Sequence, residues 1–241
     1  MKRKYKINGK KITVIHKRTT VSTNTDAMMM PENTLIFADR QTGGKGRLGR
    51  SFESPKGGVY MSLSLAGNYS AARLTTAAAV AAAKAAETLG RFDIKIKWVN
   101  DLYLENKKIC GILAAGNTKN GKISAMVLGL GLNLVEKEPF SAELSKKAGY
   151  LFKKGNFYLL RKRFIKAFLE EFYSLLDDNS GTVLNEYTKR DYLFGKTVEF
   201  RIDNQTLTGT ASGFDKDINL IVKTKDREYR LNFGEARLIS Y

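Results

Sequence analysis

Along residues 4–15, KYKINGKKITVI, apolar and polar side chains alternate on both sides of Asn8-Gly9. That is the pattern of a β-hairpin whose type I′ turn needs positive φ at both central positions. Residues 34–38, TLIFA, form a short apolar run that predicts a buried strand, and residues 58–65, GVYMSLSL, alternate as another. The spacing then changes to that of a helix, with Ser70 placed to cap it and Gly90 to end it as its C′ glycine. DIKIKW (93–98) and KKICGILAAG (107–116) predict strands, with ENKK as a tight turn before the second. GKISAMVLGLGLNL (121–134) predicts a strand that runs into a glycine-rich turn. Leu159, Leu160, Phe164, Phe168, Phe172 and Leu175 recur at helical spacing over residues 157–176. A shorter helix, TVLNEYTKRDYL, follows Gly181.

From about Gly195 the pattern switches to five short β-branched and polar runs: KTVEFRI, LTGTASGF, INLIVKT, EYRLNF and ARLIS. Turn residues at Asp203-Asn204 and at 215–217 separate some of them, which predicts a small β-barrel. The fold class expected is therefore α+β, with a mixed-sheet domain over residues 1–190 and a small barrel over 191–241. The chain shows no internal repeat and no low-complexity tail.

Composition adds charge to this picture. Of 241 residues 43% are apolar, enough for a sizeable core, and 41 Lys and Arg against 24 Asp and Glu leave a net charge of +17. Such a surface attracts polyanions: nucleotides, nucleic acid, an anionic membrane surface or an acidic protein. The single Cys110 excludes an intramolecular disulfide and fits a reducing cytoplasm, the expected location. No apolar segment follows the basic MKRKYKINGKK, and the Ala-rich TTAAAVAAAKAAETLG is broken by Lys84 and Glu87, so neither a signal peptide nor a membrane span is expected.

Candidate chemistry begins at residues 42–58, TGGKGRLGRSFESPKGG. Gly44, Gly46 and Gly49 spell a G-x-G-x-x-G, but Pro55, Gly57 and Gly58 leave no room for the helix that a dinucleotide site opens at its third glycine. No acid follows at residues 64–70 for a ribose, and Gly44-Lys45 is followed by Gly46 where a Walker A loop needs Ser or Thr. What remains is a loop with Lys45, Arg47 and Arg50 and no acid before Glu53. A solvated basic linker has the same composition. So does a clamp for two anions that must meet, which at 4 Å repel by about 4 kcal/mol at an effective dielectric near 20.

The stretch has companions. QTGGKGRLGRSFESPKGG, KWVNDLYLENKKICGIL, STNTDA at 22–27 and GLGLNL at 129–134 resemble, in order and spacing, four segments of the biotin protein ligases. The resemblance implies a catalytic domain like those of class II aminoacyl-tRNA synthetases and biotin synthetases, followed by an SH3-like domain. It implies formation of biotinyl-5′-AMP from biotin and MgATP, then transfer of biotin to one lysine of a biotin carboxyl carrier domain. By motif, Ser22, Thr23, Asn24 and Gln41 would meet the ureido end of biotin. Gly46, Arg47 and Leu48 would close over the adenylate, with Arg47 and Lys108 as catalytic cations at the carboxyl–phosphoryl junction. Lys45, Arg50, Phe52, Lys97, Trp98, Asn100, Asp101 and Asn133 would serve ATP, with Asp101 as the acid linked to Mg2+. Lys45, Phe52 and Val99 depart from the family's Arg, Trp and Pro; a lysine keeps the charge but loses the planar fork.

Each residue also has a structural reading. Ser22 or Asn24 suits a helix cap, Trp98 a core position, Lys97 and Lys108 a solvated face, and Asn100-Asp101 a turn. Cys110 reads as a buried small residue, and His16 lacks a triad or metal set. Because the first biotin-site element begins at Ser22, no DNA-reading domain and no sequence-specific DNA binding are expected, while homodimers are common in the family. The alternative enzyme is a lipoate or octanoate ligase or transferase of the same fold. A nucleic-acid platform on the terminal barrel is disfavoured, since Phe200, Phe214, Tyr229 and Phe233 form no continuous stacking stripe.

Overall fold

The computed structural model describes residues 2–65, 67, 69–119, 122–202, 205–233 and 237–240. The expected hairpin forms from β1 (Lys2–Ile7) and β2 (Lys10–Thr20), with Asn8 at φ 47° and Gly9 at φ 78°, both positive as a type I′ turn requires. The short helix α1 (Thr23–Met28) crosses to β3 (Thr34–Gln41), which pairs parallel with β2. β4 (Val59–Leu65), β8 (Lys122–Leu132), β7 (Lys107–Lys119), β6 (Asp101–Leu104) and β5 (Lys95–Lys97) continue the sheet antiparallel. The result is one mixed eight-stranded sheet in the order β1-β2-β3-β4-β8-β7-β6-β5.

The helices α2 (Ala71–Glu87), α3 (Phe157–Asp177) and α4 (Thr182–Lys189) cover one face of it. α2 is buried almost all round between the sheet and α3, and its alanines from Ala77 to Ala83 are what allow that close approach. Phe164, Phe168 and Phe172 of α3 stack at helical spacing into the same core. α1 lies on the opposite face, where Ala27 meets Ile36 and Val127.

The C-terminal unit is a second, antiparallel sheet of five strands. It comprises β9 (Thr197–Ile202), β10 (Gln205–Phe214), β11 (Leu220–Lys223), β12 (Glu228–Leu231) and β13 (Arg237–Ser240), in the order β12-β11-β10-β9-β13. All five expected strands are present; the expected Asp203-Asn204 turn lies outside the described residues. Val198, Phe200, Leu220, Val222 and Leu231 fill its interior. The sheet is joined to the main body by side chains that reach across the junction. Trp98 Nε1 donates to the Ile218 carbonyl at 2.9 Å, and the Tyr187 ring meets Phe214 edge-on while its buried hydroxyl is held inside the main body by the Val99 carbonyl at 3.0 Å.

Four expectations need correction. α2 ends at Glu87, two residues before Leu89-Gly90, because Thr88 takes the cap position and its hydroxyl satisfies the Ala85 carbonyl. DIKIKW contracts to the three residues of β5, and the unexpected β6 grows from DLYL, where Asp101 and Leu102 pair with β7. GLGLNL is no turn: Gly129 and Gly131 stay in the extended β8 and pair with Leu113 and Gly111. α4 stops at Lys189, where Arg190 turns to bond Glu87 and Glu186. Among the described residues no helix is long and apolar enough to cross a membrane.

Candidate functional site

A cavity of about 420 Å³ opens on the α1 side of the sheet. Every candidate residue except Leu48 and Asn133 lines it. Its character changes across the strands.

At one end, where α1 meets β3 and β4, neutral groups form a continuous hydrogen-bond chain. Gln41 Oε1 accepts from the Thr23 amide at 2.8 Å and from the Thr23 hydroxyl at 3.0 Å, and its Nε2 donates to Ser54 Oγ at 3.1 Å. The Thr23 and Ser62 hydroxyls are 2.8 Å apart, and Ser62 donates to Asn24 Oδ1 at 2.7 Å. Ser22 holds the N-cap position of α1 without a side-chain capping bond, so the cap reading of Ser22 and Asn24 gives way to a cavity-facing one. Each member of the chain fixes its neighbour's rotamer, which is how a site for an uncharged polar head group is pre-organised.

At the other end cations gather around one acid. Lys108 Nζ lies 2.7 Å from Asp101 Oδ1, an oxygen that is buried and makes no well-aligned hydrogen bond. Asn100 is held at both ends by Ile112: its Nδ2 donates to the Ile112 carbonyl and its own carbonyl accepts the Ile112 amide, each at 2.9 Å. Its Oδ1 is therefore turned to accept from Arg47 Nη1 at 3.2 Å. Burial holds the Arg47 guanidinium below its usual range. Burial likewise pushes the Lys97 amine down to about 8, with Lys108, Arg50 and Lys196 adding to the effect and Asp101 opposing it.

Between the ends lies a floor of bare backbone. Gly131 on β8 and Gly111 on β7 carry the Phe52 ring, and a Cβ added at Gly131 would sit 2.6 Å from it. Gly129 likewise lies directly under the Asn24 amide. The loop that bears Phe52 is an organised element: Lys45 pairs with Ser51, Phe52 N donates to the Gly44 carbonyl at 2.9 Å, and residues 47–49 make a single 3-10 turn. No helix follows Gly49, as the failure of the dinucleotide motif required.

Two candidates stand apart. The side chain of Leu48 lies outside the described residues. Asn133 is buried behind the site, where its Nδ2 donates to the Gly149 carbonyl at 3.0 Å and its amide to Ile109. It fastens residues 147–151 against the strand that carries Lys108. Ser62, Ser54 and the floor glycines were not among the candidates. A signal existed for Ser62: β4 is buried at every position, so a hydroxyl in it needs a partner. Cys110 is fully buried with its thiol pushed far above the usual range, which excludes it as a nucleophile. His16 bonds Asp39 at 2.9 Å and stacks on Phe37 away from the cavity. Among the described residues no cluster of three His, Cys, Asp or Glu could hold a metal by itself.

Residues 7–133 match the Biotin/lipoate A/B protein ligase family. The bifunctional ligase/repressor BirA of Bacillus subtilis is 31% identical over 206 residues, which cover 81% of this chain and 63% of that protein. Biotin–protein ligase 1, chloroplastic, of Arabidopsis thaliana is 29% identical and covers 77% and 55%. The chain thus spans less than two thirds of the length of these curated relatives. Among solved structures, a biotin protein ligase from Aquifex aeolicus in complex with biotin and ATP superposes with a TM-score of 0.81 at 22% identity, covering 95% of this chain and 99% of that one.

Proposed function

The chain belongs to the biotin/lipoate A/B protein ligase family, and within it we propose that this protein is an ATP-dependent biotin ligase acting on a biotin carboxyl carrier domain. The observation that carries the reading is the division of the cavity into a neutral hydrogen-bonding end and a cationic end across a glycine floor. Ser62 on β4 and Asp101 on β6 are three strand steps apart, about 14 Å at the usual interstrand spacing. A ligand with an uncharged cyclic urea at one end, an aliphatic stem and a carboxylate at the other has the right length and polarity.

In the first step the biotin carboxylate attacks the α-phosphorus of ATP, an acyl–phosphate bond forms, and the bond to pyrophosphate breaks. Arg47 and Lys108 lower the repulsion between the two anions as they meet. Lys97, Lys45 and Arg50 attract the departing polyphosphate, and Phe52 on its glycine seat offers a flat face to adenine. In the second step the neutral amine of the acceptor lysine attacks the acyl carbon, AMP leaves with the electron pair of the broken bond, and an amide remains.

Mg2+ fits this donor set as a passenger on the triphosphate. Asp101 offers one carboxylate with a buried oxygen that lacks a well-aligned hydrogen bond, and one or two carboxylates plus phosphates and water are the usual magnesium shell. When bound, the ion would neutralise phosphate charge; Asp101 would hold it, and Lys108 would be the cation freed to turn toward the reacting carboxylate.

Incubating the protein with MgATP, a carrier domain and either biotin or lipoate tests the assignment. Mass spectrometry is expected to show one biotinyl addition on the carrier lysine and pyrophosphate release with biotin. Lipoyl addition in place of biotinyl would refute it.

A further inference from the structure

The C-terminal sheet supplies part of the cationic end of the site. Arg47 is held between two bodies: Nη1 donates to Asn100 Oδ1 at 3.2 Å in the main body, and Nη2 donates to the Phe233 carbonyl at 3.2 Å in the C-terminal unit. The guanidinium also lies over the Phe233 ring, 4.8 Å from its centroid. A guanidinium has five N–H donors. Among the described residues these bonds use two, on a half-buried cation at the cavity wall with Asp101 nearby. The clasp fixes the plane in which the remaining donors of the fork can meet an anion.

We propose that Phe233 is a positioning residue for Arg47, so that the C-terminal unit completes the adenylate-forming site instead of merely standing beside it. The inference rests on the biotin ligase reading for its chemistry but not for its geometry. Without the ring of Phe233, Arg47 keeps Asn100 and the backbone carbonyl of residue 233, but nothing packs against the guanidinium plane. The long side chain then samples several rotamers, and the two anions meet less often in reactive alignment. Trp98 gives the same unit a second purchase through the Ile218 carbonyl, so removing Phe233 leaves the docking of the two sheets intact.

Two measurements on the full chain test this. The first concerns the ligand-free protein: the Arg47 Nη2–H resonance, from the donor to the Phe233 carbonyl and assigned by its loss in Arg47→Lys, is expected to be sharp and slow to exchange in wild type. In Phe233→Ala it should broaden and exchange at least about tenfold faster, whatever reaction the protein performs. The second is biotin-dependent ATP–pyrophosphate exchange. Here kcat is expected to fall about tenfold in Phe233→Ala with the KM for biotin within about twofold of wild type, and Phe233→Trp should restore it. If Phe233→Ala fails to fold, Phe233→Leu, which keeps the bulk but has no ring, is expected to show the same loss. An unchanged Arg47 resonance, or a folded Phe233→Ala or Phe233→Leu with wild-type kcat, overturns the proposal. Absence of exchange in wild type refutes the ligase reading alone, and the resonance then decides the clasp.

Discussion

At the scale of single residues, Lys97 carries a charge the fold resists. Its folded pKa of about 8 lies below the ordinary 10.5, so between those values the unfolded chain binds more protons than the native one. Stability contributed by this group therefore rises with pH through that window. Attraction for the triphosphate moves the opposite way, because the cation is lost as pH rises through about 8. The KM for ATP is expected to climb above pH 8, and Lys97→Met should flatten that limb while raising KM at neutral pH; steady-state kinetics from pH 6.5 to 9.5 check both. The floor gives a second expectation. Gly131→Ala drives a methyl into the Phe52 ring, and on the proposed reading, in which that ring faces adenine, kcat/KM for ATP should drop at least about tenfold with the fold retained, as read by kinetics and circular dichroism. The candidate side chains that line the cavity were legible in the chain because their types and spacing follow a family pattern. The floor glycines and Ser62 were less so, since what they do depends on which strands become neighbours.

At the scale of elements, periodicity located the helices of the main body and the strands of the C-terminal sheet and missed β6. α3 shows its apolar stripe plainly, and Phe164, Phe168 and Phe172 are fully buried as that stripe requires. Phe168→Ala should cost about 3–5 kcal/mol in chemical denaturation, with catalysis at saturation unchanged in the folded fraction. β6 is four residues long and draws its order from pairing with β7, so nothing local announces it. The same holds for β8, where local glycine content points to a turn and the sheet keeps the segment extended. The loop of residues 44–52 was legible as a cationic, helix-free segment; its hairpin-like closure through Lys45 and Ser51 was not, because backbone pairing leaves no compositional trace.

At the scale of the whole molecule, the +17 charge acts over distances that contacts do not. An acidic carrier would be drawn in by that field, and the second-order rate of biotin transfer should fall at least about tenfold between 50 and 500 mM salt. The proposed adenylate-forming step, placed inside the cavity, should change much less; parallel stopped-flow and exchange assays separate the two. The two-unit organisation was readable from the switch in pattern near Gly195. The reach of the second unit into the cavity was not, because Phe233 and Arg47 are 186 residues apart and neither has a neighbour that hints at the other.

The N-terminal hairpin is lashed to α3: Asn8 Nδ2 donates to the Glu170 carbonyl, 162 residues on, and Lys10 pairs with Asp177. During synthesis at roughly 5–20 residues per second that anchor arrives about 8–30 s after the hairpin does. β1 is the outer strand of the sheet before and after that anchor arrives, and open edges recruit other strands. Lys2, Lys4 and Lys6, with Lys11 directly across from Lys6, repel such visitors at a small cost to the hairpin itself. The basic edge thus guards the chain both before and after α3 docks, and neutralising those lysines should show as self-association of nascent and finished chains alike while the folded monomer remains as stable as before.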